Sequence, residues 1–164
     1  MYTRKQKTEV VILFLLAVIA IELFTVFLTQ KGIHEIYNSQ KAVLPWAMPL
    51  RYLIPVWTGL YILIGISGAI LWTKPPSHIR SFAMWAWVTQ LVINVLWPMC
   101  FFYVPIEVLT PILITILFMT VMVLMFYSYM VSAVAAILLF PYLLMIIYKM
   151  IFHWIFYILN IKLL

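Results

Sequence analysis

Long apolar runs separated by short polar clusters organise this chain of 164 residues. The first follows Thr8 and Glu9, extends from Val10 to about Gln30, and is broken only by Glu22. A second, from about Tyr52 to Thr73, meets Lys74, Pro75 and Pro76, where two prolines cannot continue a helix. Ser77 to Arg80 read as a polar turn, and the third run goes from Ser81 to about Tyr103, with Pro105 marking the turn beyond it. The fourth starts near Glu107 and continues to about Tyr129. No charge separates it from the fifth, but together the two exceed 50 residues, and one bilayer crossing needs roughly 20. A boundary therefore falls near Tyr127, Ser128 and Tyr129, with Ser132 suited to capping the next helix. The pattern predicts an all-α integral membrane protein, a single domain forming a five-transmembrane-helix bundle. The spans fall at about 9–30, 52–73, 81–103, 107–129 and 132–160. The loop 31–51 holds Gly32, Pro45, Trp46 and Pro49 and reads as an ordered, turned segment rather than a linker.

Composition narrows the class. Hydrophobic residues make up 68% of the chain and charged ones 9%, against about a quarter charged in a soluble domain. Ten Lys and Arg against four Glu leave a net charge of +6, mostly near the span ends, where it suits anionic lipid headgroups. No basic face remains for nucleic acid. The single Cys100 lies in an apolar run, which excludes a disulfide framework and a cysteine metal site. The first run is long and lacks a small-residue cleavage site, so it reads as a retained span. Arg4, Lys5, Lys7, Lys74 and Arg80 lie on one side, and Lys31, Lys41, Arg51 and Lys162 on the other. That excess of one leans to a cytoplasmic N-terminus.

Polar groups at membrane depth normally face the bundle interior or one another. In span three, Trp87, Gln90, Asn94, Trp97 and Phe101 recur every three or four residues and form one face. Trp57, Tyr61, Gly65, Gly68 and Trp72 do so in span two, and Pro141, Met145, Lys149 and His153 in span five. Apolar walls with a few convergent polar groups are how a pocket between helices is built. Plainer readings stand beside this one. Gln90 and Asn94 serve equally as interhelical hydrogen-bonding groups, and Trp85, Trp154 and Tyr157 as interface aromatics. Gly65 and Ala69 fit helix packing, Glu22 and Lys149 fit mutual neutralisation, and His34 and His78 fit loops. No Ser/His/Asp set, HExxH, paired carboxylates or phosphate-binding glycine loop is present. No metal site is expected, and neither a channel's charge rings nor a transporter's inverted repeats are visible.

Three motifs in order resemble the TspO/MBR family, the translocator or tryptophan-rich sensory proteins. Trp46 and Pro49, followed by Val56, Trp57, Leu60, Tyr61 and Gly65, resemble its W-x-P-P…V-W-x-x-L-Y-x-x-x-G stretch. Gln90, Leu91, Asn94, Trp97, Phe101 and Phe102 resemble its third-helix Q-L-x-L-N-x-x-W…F-F. Leu138, Leu139, Pro141 and Tyr142, ending at Leu159 and Asn160, resemble the last helix's L-L-x-P-Y…L-N. The likeness covers about residues 36–160, and span one fits in length alone.

The resemblance implies a five-helix bundle, commonly a homodimer, in a bacterial cytoplasmic membrane or a eukaryotic outer mitochondrial membrane. It implies a receptor or sensor that binds porphyrins (protoporphyrin IX, haem) and sterol-like or lipid ligands, with no cofactor required. Light-dependent porphyrin degradation using Trp57, and porphyrin or lipid transport, are the alternative activities. The implied pocket lies under the first loop, lined by Trp46, Pro49, Trp57, Tyr61, Asn94, Trp97 and the inner face of span five. Gln90 and Phe101 join them from the span-three stripe, and Met145, Lys149 and His153 from span five. Flat aromatic walls stack on a macrocycle while an amide and a cation meet its carboxylates. The chain departs from the family in span five: Met145 stands where Trp is usual, Lys149 where a small Ala is expected, and His153 where Asn is. The loop also lacks the W-Y and K-P pairs, with Tyr37 and Pro45 nearby. A missing aromatic weakens the photochemical alternative, Lys149 is placed to hold a propionate, and His153 to ligate haem iron.

Overall fold

In lipid every backbone polar group must be satisfied within the protein, which favours uninterrupted helices for apolar runs of this length. The computed structural model describes residues 2–38, 47–104, 106 and 108–161. Among these residues five helices form: α1 (Arg4–Asn38), α2 (Leu50–Thr73), α3 (His78–Tyr103), α4 (Leu109–Val131) and α5 (Ala133–Ile161). All five are long and apolar enough to cross a membrane. Pro45, Trp46, Lys41, Pro105, Glu107 and Lys162, and the side chains of His34 and Tyr37, lie outside the described residues.

The main departure from the sequence reading is at the end of the first span. The helix does not stop near Gln30; α1 continues to Asn38 and takes the first third of the expected loop 31–51. Gly32 does not terminate it. A Cβ at Gly32 would lie 2.5 Å from Cβ of Phe102, so the glycine permits close approach of α1 to α3. The hydroxyl of Tyr103 reinforces that contact by donating to the carbonyl of Leu28 at 2.6 Å. At the other junction, Ser132 is extended (φ −163°, ψ 113°) and alone separates α4 from α5.

Helix α3 packs on α4, α4 on α5, α1 on α2 and α3, and α2 on α3 and α5. Two glycines set the approach of α2 to its neighbours. A Cβ at Gly65 would come within 2.9 Å of Val18, and one at Gly68 within 2.5 Å of the Trp87 indole. Trp87 fills the space left by Gly68 and donates its indole N–H to the carbonyl of Ile64 at 3.0 Å. Buried Ser67 donates to the carbonyl of Ala135, joining α2 to α5. Trp154 donates to Oγ1 of Thr115 across the α4–α5 contact, and Trp85 is 71% exposed. Between α2 and α3 the turn is closed by Arg80, which donates to the carbonyls of Trp72 and Lys74 and stacks over Trp72. Ser77 caps α3 by accepting from the N–H of Arg80.

Candidate functional site

A cavity of about 140 Å³ opens in one half of the bundle. It lies where the C-terminal halves of α1, α3 and α5 meet the N-terminal half of α2; α4 contributes nothing to its lining. Helix α1 supplies Glu22, Thr25, Val26 and Thr29, and α2 supplies Leu53, Ile54, Trp57 and Tyr61. From α3 come Asn94, Trp97, Pro98, Phe101 and Phe102. From α5 come Tyr148, Lys149, Phe152, His153 and Phe156, with Ala47 and Met48 at the rim. The rim is tied to α5, since the N–H of Met48 donates to the hydroxyl of Tyr148 at 3.0 Å.

The walls are aromatic. Trp57 packs against Tyr61 at 6.2 Å and against Trp97 at 6.3 Å, its plane tilted 35° from that of Trp97. The His153 ring stands steeply inclined to those of Trp97, Phe101 and Phe152, with centroids 5.2, 4.7 and 5.3 Å away and interplanar angles of 66°, 80° and 83°. Nζ of Lys149 stands 5.6 Å above the Trp97 ring and 5.8 Å above that of Phe152, close enough for cation–π attraction.

Behind this wall lies a polar network. Asn94 is 2% exposed. Its amide donates to the hydroxyl of Tyr142 at 2.8 Å, and that hydroxyl donates to Oε1 of Gln90 at 2.8 Å. Trp97 donates its indole N–H to Oδ1 of Asn94 at 3.4 Å. Pro98 has no N–H, so the carbonyl of Asn94 has no i+4 donor within its own helix. The amide of Asn94 is thereby held by α5 from behind while its residue borders the cavity in front.

Of the site residues expected from sequence, Trp57, Tyr61, Asn94, Trp97, Phe101, Lys149 and His153 line this one cavity. Gln90 does not reach it; it is fully buried behind Asn94. Met145 packs against the hydrophobic core instead, and Pro49 is an exposed residue preceding α2. Trp46 lies outside the described residues. Glu22 and Lys149 are on different walls, and Glu22 accepts a hydrogen bond from Thr58 at 2.6 Å. The α1 wall was missed, although Glu22, Thr25 and Thr29 recur at helical spacing and carried the signal. Tyr148, Phe152 and Phe156 were also missed. Among the described residues no three His, Cys, Asp or Glu converge as metal ligands.

A model of the TspO/MBR family matches residues 11–158, nearly the whole chain and every wall of the cavity. The chain belongs to the TspO/MBR family. No curated protein matches the sequence. With five helices of spanning length, this TspO/MBR member is an integral membrane protein. Membership also supports a membrane receptor or sensor role in general terms. The match includes α1, so the TspO/MBR likeness extends beyond the three motifs to the wall bearing Glu22.

Proposed function

We propose that this protein is a membrane receptor for porphyrins, protoporphyrin IX or haem, held in the cavity between α1, α2, α3 and α5. The observation that carries this reading is the Trp57–Trp97 pair, two indoles 6.3 Å apart that share one cavity with the amide of Asn94 and the ammonium of Lys149. Indole faces stack on a flat π-system, and the amide and cation meet polar substituents at its edge. The present volume is close to the ~150 Å³ of apolar cavities that accept benzene and below the ~300–1,000 Å³ of drug-sized clefts. A macrocycle therefore enters by parting the rim, where the Met48–Tyr148 hydrogen bond joins the segment before α2 to α5.

Titration with protoporphyrin IX in detergent should quench tryptophan emission and saturate at one site per chain. Trp97→Ala and Asn94→Ala should each weaken that titration, with helix content checked by circular dichroism. Unchanged binding in both variants would remove the porphyrin from this cavity.

A further inference from the structure

The α5 wall carries two polar side chains that the fold does not use. Lys149 lies 12 residues before Ile161 and 16 after Ala133, about 18 Å and 24 Å along the helix from its ends. That is deep for an ammonium, and groups at such depth normally find a partner. Among the described residues, however, its Nζ meets only the faces of Trp97 and Phe152. His153 follows one turn later on the same helix face. It is 2% exposed, it lines the cavity, and neither ring nitrogen has a hydrogen-bond partner among the described residues.

The acid already in the cavity does not fill this need. Glu22 sits on the α1 wall and is engaged by Thr58. The strongly packed helix pairs do not include α1 with α5. A ligand that brings its own anion would satisfy Lys149 and His153 together, because ammonium and imidazole N–H groups supply donors to the two oxygens of one carboxylate. In a small ligand confined within the closed cavity, a second carboxylate would face Glu22 on the α1 wall, which disfavours it. Beside the two donors, Trp97, Phe101 and Phe152 line the same cavity, whose volume of about 140 Å³ is of single-ring size.

We infer that Lys149 and His153 form a carboxylate anchor, and that the cavity takes an aromatic monocarboxylic acid with its ring against Trp97. The inference rests on the cavity being the ligand site proposed above, and it does not require that ligand to be a porphyrin.

Calorimetric titration of the full chain in detergent, corrected against protein-free micelles, tests it with 4-phenylbutyrate, its methyl ester and the dicarboxylate phenylsuccinate. The acid should bind at one site per chain, and the ester and dicarboxylate at least about tenfold more weakly. Lys149→Met should lower the acid to the ester's level and leave the ester unchanged, which also reports an intact cavity. His153→Phe keeps a ring and removes both nitrogens, so it should weaken the acid and spare the ester. Equal affinity for acid and ester, an acid preference that survives Lys149→Met, or no binding of the acid would each overturn the anchor. Protoporphyrin quenching on the same preparations separates the two ideas. If it persists while phenylbutyrate fails to bind, the anchor alone is wrong; if both fail, the cavity is not the ligand site.

Discussion

Replacing Tyr142 with Phe removes a single oxygen from the contact between α3 and α5 and leaves the ring in place. That oxygen accepts from Asn94 and donates to Gln90, both at 2.8 Å, in a site with no solvent exposure. Without it, the Asn94 amide nitrogen keeps only its 3.4 Å contact with Oε1 of Gln90. Gln90, whose own Nε2 is already unpartnered, loses its donor from Tyr142. In a soluble core, orphaning such groups costs ~1–3 kcal/mol each. Between membrane helices a hydrogen bond averages ~0.6 kcal/mol, with a maximum near ~1.7, because the chain unfolded in the bilayer also finds partners. Two bonds therefore predict a loss of about 1–2 kcal/mol for Tyr142→Phe, since the membrane value governs here. The assay is equilibrium unfolding in mixed micelles titrated with sodium dodecyl sulfate. A double-mutant cycle with Asn94→Ala should show a coupling of about 0.6 kcal/mol or more. Stability within ~0.3 kcal/mol of wild type, together with an additive cycle, would refute the view that this network is a structural tie. Porphyrin affinity should fall as well, because Asn94 would lose the tether that orients it.

The glycines of α2 should respond in opposite ways. Gly68→Ala drives a methyl into Trp87 and should cost ~1–3 kcal/mol. Gly59→Ala meets nothing within 4 Å among the described residues and should be neutral or stabilising by up to ~1 kcal/mol; equal effects in the same unfolding titration would contradict the packing account. Tyr148→Phe breaks the rim contact with Met48. Stopped-flow quenching should then show faster porphyrin entry and exit, and unchanged rates would mean that the rim does not gate the cavity. Arg80→Ala removes two hydrogen bonds to the carboxyl end of α2 and should lower stability by about 1 kcal/mol without altering ligand titrations.

The spans were legible because each needs a run of apolar residues, and run length survives any ignorance of packing. The end of α1 was not, since Lys31 and Gly32 look like a helix stop until Phe102 is seen pressed against the glycine. The third-helix stripe succeeded in part. Its steps of three and four average close to the helical repeat, so Asn94, Trp97 and Phe101 share a face. The fifth-helix stripe stepped strictly by four, which turns about 40° further at each step. Pro141 accordingly ends up exposed while His153 is buried, and the working face is Tyr148, Lys149, Phe152, His153 and Phe156. Glu22, Thr25 and Thr29 were readable by the same rule. Exposed Phe24 and Phe27 are interleaved among them, so the sequence of this helix shows no obvious polar side.

The cavity occupies one half of the bundle's length, and for the proposed ligand this would set which pool the protein can sample. In the opposite half of the bundle Trp87 is keyed into Gly68, and Leu71, Ala83 and Leu124 have no solvent exposure. On the proposed function, exchange would run through the leaflet on the side away from the N-terminus, whichever compartment that is. In sealed vesicles of uniform orientation, ligand added to one face should reach the site at once. Ligand added to the other face should arrive only as fast as it crosses the lipid itself. Such one-sided access suits a protein that reports on a concentration better than one that carries its ligand across.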